Sequence, residues 1–506
     1  MTTTDTLPRR TRKTIPHHRR LTLAVMCLAA FIIQLDVTIV NIALPRIQSG
    51  LGLAAGTLLW VVSAYALSLA AFVPVAGALG DRFGHRPVFL VGVGVFVAGS
   101  AACALARDGV ELVVARAIQG AGGASMLALT LSIIATAFPA RSRARAISTW
   151  AAVGGTGFGV GPVAGGLLLS TAGWSVVFWV NVPVGLLVLA GATVTVPRSR
   201  RSEHPLDRLG AVLCAVGLVA VTYGLSRSGG HPWTAPSVAG PLLLGLVALG
   251  CFAGWERRAA HPMAPPALVR MPGFAAAATV YLMAYAAFGG ILYFATLFCQ
   301  DVAGWSVLRT GLSWLFMNIP FLGMAQFGGA VRERFGARTL VAGGCLLAGF
   351  GAALLTLAST PGPWAVVAVA FVLSGAGFGA FVPVLTHVAM GAVPPPLTGI
   401  ASGLLNTARQ VGTAVGLALL GYVAADRTLA AWRRHTSPGT AGQGADVVAG
   451  RVSSVGRTLG PAYHQAAVTS FEQGFHWAVG VGAGLLAAGA LVAWRTFPRR
   501  DGGARG

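Results

Sequence analysis

The chain has 506 residues, of which 55% are hydrophobic and only 10% charged, with a mean hydropathy of +0.73. A soluble chain carries roughly 25% charged residues, and the deficit here falls in long apolar blocks, so a soluble enzyme, a secreted domain and a disordered chain are all disfavoured. The net charge of +22 would fit nucleic acid only if the basic residues clustered on one surface among stacking aromatics, and they do not.

Apolar stretches of about 20 residues read as bilayer-crossing helices, which makes this an all-α polytopic membrane protein. In chain order they fall at 21–44, 58–79, 87–106, 110–138, 147–169, 174–196, 209–227, 237–255, 274–299, 311–330, 339–358, 364–388, 399–423 and 473–494, fourteen in all. A basic tail, 1–20, precedes a six-helix unit, 21–196. A two-helix insert, 197–273, separates it from a second six-helix unit, 274–494, with a long external loop at 424–470 and a tail at 495–506. Segments on the side of the N-terminus hold 25 Lys and Arg against 9 on the other side, with Arg116 and Arg409 inside spans. The positive-inside rule then places both termini in the cytoplasm of a cell membrane. The first block is 24 residues long with no small-residue cleavage site, and is expected to remain as a membrane helix. Six cysteines occur without C-x-x-C spacing, which supports neither a metal site nor a disulfide framework.

Span 1 carries Asp36, the only acidic residue well inside any span. An ionised carboxylate there is costly unless paired or reached by water. Arg116 lies roughly 9 Å into span 4 and Asp36 roughly 12 Å into span 1 from the same face, so the two can meet. Separating them favours the protonated carboxyl, as a proton-coupled carrier needs; a static ion pair is the alternative. Gln34, Thr38 and Asn41 form one polar stripe on span 1, with Asp36 about 200° round from Gln34. In the loop after span 2, Gly77 and Gly84 permit close approach and a tight turn. Asp81, Arg82 and Arg86 there can make or break ion pairs between the two halves, as a gate. Span 4 aligns Arg116 with Gln119, Gly120 and Gly123, and span 5 spaces Gly157, Gly161 and Gly165 four apart beside Pro162, a face for close helix contact. Spans 9 and 10 bring aromatic surface, including Tyr285 and Trp314, and the amide Asn318. Span 13 sets Asn406 and Arg409 on one side with Ser402, Thr413 and Gly416. For Arg409 three partners are open: backbone carbonyls, Asp36 across a cavity, or an anionic substrate. Candidate cavity residues are thus Gln34, Thr38, Asn41, Gln119, Tyr285, Trp314, Asn318, Asn406 and Arg409.

The decapeptide from Gly77 to Arg86 is echoed, with six identities, from Gly329 to Arg338, an offset of 252 residues that brings Glu333, Arg334 and Arg338 into equivalent positions. The period is eight helices, so the halves are parallel repeats arranged 6+2+6, of the kind that face each other across a midplane site.

The pattern G-x-L-x-D-R-x-G-x-R, seen in Gly77-Ala78-Leu79-Gly80-Asp81-Arg82-Phe83-Gly84-His85-Arg86, resembles the signature loop of the major facilitator superfamily. Leu35 to Pro45, Arg116-Ala117-Ile118-Gln119-Gly120 and the run Gly161-Pro162-Val163-Ala164-Gly165-Gly166 are similar to its fourteen-span drug:proton antiporter branch. The resemblance implies an alternating-access exporter and associates the glycine run of span 5 with export. Family members that recognise dicationic drugs carry a carboxylate in span 10, where this chain has Asn318. The expected function is proton-driven efflux of small amphipathic organic compounds, antibiotics among them. The alternatives are a dedicated exporter of one natural product, a proton symporter for uptake, and, in another class, a membrane receptor or membrane enzyme. No cluster of catalytic residues shares one depth and no Gly-Lys-Ser/Thr nucleotide loop occurs. The expected partners are therefore lipid, protons and substrate, with no metal, cofactor or nucleic acid, in a monomer.

Overall fold

A computed structural model describes residues 17–197, 207–227, 234–259, 262, 266–359, 364–394, 398–436 and 442–497. Of the expected tails, 1–20 and 495–506, residues 1–16 and 498–506 lie outside the described residues, as do the side chains of Asp81, Pro162, Glu333, Arg334 and Ser402. Among the described residues the chain is helical throughout, without strands. The first half runs α1 (His17–Leu51), α2 (Ala55–Phe83), α3 (His85–Leu105), α4 (Gly109–Ala137), α5 (Ala140–Thr171), the short α6 (Val176–Trp179) and α7 (Asn181–Thr195). The insert is α8 (Arg208–Arg227) and α9 (Pro236–Glu256), followed by α10 (Pro266–Arg270). The second half runs α11 (Pro272–Leu297), α12 (Val307–Ser313), α13 (Leu315–Leu354), α14 (Trp364–Gly391), α15 (Thr398–His435), α16 (Gly444–Val448), α17 (Val452–Leu459) and α18 (Pro461–Thr496). Eleven helical stretches among the described residues are long and apolar enough to cross a bilayer. The expected spans at 147–169, 209–227 and 311–330 fall on α5, α8 and the first part of α13, each of which includes side chains outside the described set. The protein is a multi-pass membrane protein.

Glycine sets the corners of the repeat. Gly84, between α2 and α3, has φ 98°, and Gly336, 252 residues later, has φ 79° and splits α13 into two helices. Both combine a positive φ with an extended ψ, of 140° and 158°, a conformation essentially confined to glycine and costing other residues about 1–3 kcal/mol. The expected loop at 424–470 is instead largely helical. Here α15 continues to His435, α16 and α17 cross the stretch, and α18 begins at Pro461. Trp432 and Val447 explain this, since they are buried at 1% and 0% exposure and draw the segment onto the bundle.

Helices α11 and α18 run antiparallel, with Gly482 against Ile291 and Gly489 against Val280. At the end away from the chain termini, one apolar core joins the halves, with Ile39 and Ile42 of α1 in the same cluster as Leu292, Phe298 and Leu420. Towards the termini each half keeps its own core, around Phe89, Phe96 and Phe138 in the first and Phe274, Phe381 and Leu385 in the second. Polar contacts also close the far end, where Gln300 Nε2 donates to Ile42 O at 3.0 Å and Arg451 Nη1 to Leu53 O at 2.7 Å. The insert helix α8 packs on both α2 and α15, with Tyr223 5.5 Å from Trp60. The expected small-residue face on α5 meets α1: a methyl added to Gly157 would lie 2.6 Å from Phe31 O, and one on Gly161 2.9 Å from Thr38 Cβ. In the second half, α15 presents Gly412 and Gly416 to Leu282 and Ala286 of α11 in the same manner.

Candidate transport site

Asp36 and Arg116 meet inside the first half. Arg116 Nη1 donates to Asp36 Oδ2 at 2.6 Å, with Asp36 0% and Arg116 1% exposed. Asp36 Oδ1 accepts from Gln119 Nε2 at 2.9 Å and Asn181 Nδ2 at 2.6 Å, and both amides also donate to Ser100 Oγ, at 2.6 and 3.1 Å. Arg116 Nε donates to Val61 O at 3.0 Å, and the guanidinium stacks on Tyr65 at 4.1 Å and lies 5.8 Å from the Phe178 ring. Residues from every helix of the first half except α5 therefore build the setting of one ion pair. A carboxylate taken out of water is tolerated only when its lone pairs are met in this way. Helix α4 presents its charge here because Gly120 lets α2 approach, a methyl there falling 2.6 Å from Tyr65 O.

The pair borders a narrow cavity between the halves. Gln34, Val37, Val40 and Asn41 of α1, Val62, Tyr65 and Ala66 of α2, and Arg116 line it from the first half. From the second come Tyr285, Phe288, Gly289 and Leu292 of α11 and Arg409, Gln410, Thr413 and Leu417 of α15. Asn41 Oδ1, Tyr65 Oη and Arg409 Nε on this wall are buried and have no hydrogen-bond partner among the described residues. The Arg409 guanidinium lies 5.6 Å from the Tyr285 ring. A smaller apolar cavity continues from Phe288 and Leu292 to Trp314, Phe371 and Phe378, with Trp314 stacked on Phe371 at 4.9 Å.

Of the nine cavity candidates, Gln34, Asn41, Tyr285 and Arg409 line the main cavity and Trp314 the second. Thr38, on the same stripe as Gln34 and Asn41, faces α5 instead, its hydroxyl 3.4 Å from Gly157 O. Gln119 belongs to the ion-pair cluster. Asn318 donates back to Trp314 O at 3.0 Å within its own helix, and neither it nor Asn406 lines either cavity. Among the described residues no hydrogen bond joins Arg409 to a backbone carbonyl, and Asp36 gives its oxygens to other donors. Gly77 has no neighbour within 4 Å of an added methyl; Gly80, against His85 at 3.2 Å, makes the close approach. Arg86 donates to Thr193 O, and Arg338 stacks on Trp494 at 4.1 Å, so each arginine is held within its own half. The sequence reading missed Asn181, Ser100, Tyr65 and Gln410. It also missed Asp301, at the end of the π-helical turn Phe298–Val302, whose Oδ2 is buried without a partner.

A cavity shared by two repeat-related helix bundles, with a charge pair at its edge, defines a solute transporter of the parallel-repeat type. The Major Facilitator Superfamily model matches residues 26–417, and the chain belongs to that superfamily. The multidrug resistance protein Stp of Mycobacterium tuberculosis (strain CDC 1551 / Oshkosh) is 35% identical over 421 residues, 82% of this chain and 77% of that protein. The tetracenomycin C resistance and export protein of Streptomyces glaucescens is 36% identical over 410 residues, 80% of this chain and 76% of that one. The drug efflux pump JefA of M. tuberculosis (strain CDC 1551 / Oshkosh) is 32% identical over 507 residues, 95% and 98% of the two chains. Among solved structures, a bacterial homolog to the human lysosomal transporter Spinster, inward-facing and unoccupied, matches 96% of this chain and 98% of its own with a TM-score of 0.65 at 19% identity. The POT family transporter PepTSo matches 96% and 99% with a TM-score of 0.66 at 14% identity. The last two relatives are named for export and efflux, and both structural neighbours are transporters.

Proposed function

We propose that the protein exports small amphipathic organic compounds by alternating access, each cycle driven by protons binding at Asp36. The observation that carries this reading is the Asp36–Arg116 pair, 2.6 Å long and bordering the cavity. A carboxylate that alternates between a guanidinium and a proton changes the local charge by one, and that change is what couples a proton to a rearrangement of the halves. A proton crossing a 100 mV potential supplies about 2.3 kcal/mol. Fourteen spans with both termini cytoplasmic complete the reading; it needs no metal or cofactor, and works as a monomer. A dedicated exporter of one compound is the second reading, favoured by the likeness to a tetracenomycin C export protein.

The test uses inverted membrane vesicles with an imposed pH gradient and compounds chosen from a drug-susceptibility panel in an efflux-deficient host. Asp36→Asn is expected to abolish uphill transport while the protein still inserts. The double variant Asp36→Asn with Arg116→Gln strands no charge and decides the matter if the single variant fails to fold. Undiminished uphill transport by either variant overturns the coupling role.

A further inference from the structure

Two arginines line the cavity, and their circumstances differ. Arg116 is neutralised by Asp36 at 2.6 Å. Arg409, on the opposite half, has among the described residues no carboxylate within ion-pair distance and no acceptor for its buried Nε. Asp36 does not serve it in this conformation; its oxygens accept from Arg116, Gln119 and Asn181. The remaining lining groups are neutral, so the wall carries one uncompensated positive charge among apolar and aromatic side chains. Such a cation is costly inside a membrane protein and is retained where a mobile ligand offsets it. The guanidinium also presents a planar fork matched to a carboxylate, and Tyr285 beside it offers a ring face to an apolar body.

We propose that Arg409 and Tyr285 form an anion-binding subsite and that the favoured substrates carry a single carboxylate on an amphipathic body. This rests on the reading of the cavity as the transport site. Asn41 Oδ1 on the facing helix, an acceptor without a donor, suits an N–H or O–H elsewhere on the same compound, so the neutral end of the substrate lies towards α1.

The experiment compares 11-(dansylamino)undecanoic acid with its methyl ester by fluorescence titration of the full chain in phosphatidylcholine nanodiscs, empty discs being subtracted. The wild-type protein is expected to bind the acid roughly tenfold tighter than the ester. Arg409→Gln is expected to bring the two affinities together by weakening the acid alone, and Arg409→Lys to keep a smaller preference. Equal binding of acid and ester by the wild type overturns the subsite, as does a preference that survives Arg409→Gln. If Arg409→Gln does not fold, the wild-type pair and Arg409→Lys decide. A second arm adds phosphatidylglycerol; loss of the acid preference there assigns Arg409 to a lipid headgroup and overturns the substrate assignment. The efflux reading is judged separately, by Asp36-dependent uphill transport of panel compounds, so one can fail while the other stands.

Discussion

An arginine inside a membrane protein cannot shed its charge, whereas a carboxylate can take up a proton. The Asp36–Arg116 pair is asymmetric for that reason. Asp36→Asn strands a guanidinium that is 1% exposed, and breaking a buried pair in this way costs about 3–5 kcal/mol. In Arg116→Gln the carboxyl keeps its bonds from Gln119 and Asn181, so the loss is expected to be smaller. Thermal unfolding of the purified variants in one detergent checks the order; a lower Tm for Arg116→Gln would reverse it. Asn181→Leu, which removes the 2.6 Å donor to Oδ1 without removing charge, is expected to cost about 1–3 kcal/mol, read in the same assay.

Helix crossings in this fold are set by glycine at particular positions, and the contrast between two of them is measurable. Gly157→Ala would place a methyl 2.6 Å from Phe31 O, whereas one at Gly77 meets nothing within 4 Å. Gly157→Ala is expected to destabilise by about 1–3 kcal/mol through overpacking. Gly77→Ala is expected to be neutral or to stabilise by about 0.5–1 kcal/mol, because alanine loses less entropy in a helix. Folded yield by fluorescence-detected size exclusion and Tm distinguish the pair. The same crossings explain what was legible beforehand. Height along a helix follows from a fixed rise per residue, so the meeting of Asp36 and Arg116 could be read from the sequence. Direction around the axis could be read only within one helix. Thr38 shares a stripe with Gln34 and Asn41, yet the α5 glycines bring a backbone onto it and take it out of the cavity. Asn181 stands two residues before Pro183 in an apolar run, and nothing local to α7 says that it reaches α1. Gly84 and Gly336 announced themselves as repeat-related corners, while the helical course of 424–435 was hidden by its charged residues Asp426, Arg427, Arg433 and Arg434.

At the scale of the whole molecule the two halves contribute unequal charge. The first encloses a balanced pair, the second presents Arg409, and Asn318 supplies no carboxylate from α13. A dication entering this cavity would leave water without an anion to meet it, at several kcal/mol per ion even after relaxation. Efflux of a matched monovalent and divalent pair of equal lipophilicity is expected to favour the monovalent member, and faster, tighter transport of the divalent one would refute that electrostatic account.

The placement of α8 makes the two seams between the halves unlike. Where α2 meets α15, the insert lies across the joint, with Tyr223 against Trp60 and Leu218 against Ala66 and Leu67. Along the other seam α5 packs closely on α12, where a methyl on Gly166 would fall 3.0 Å from Leu308 Cα, and less closely on α13, where among the described residues a methyl on Gly155 would meet Leu322 at 3.9 Å. A compound dissolved in the hydrocarbon of the bilayer thus meets α8 before the joint on one flank, and α5, α12 and α13 themselves on the other. Gly155→Trp, at the joint that α8 does not cover, is accordingly expected to slow capture of strongly lipid-partitioned compounds while sparing water-soluble ones, which transport of a matched pair of such compounds checks.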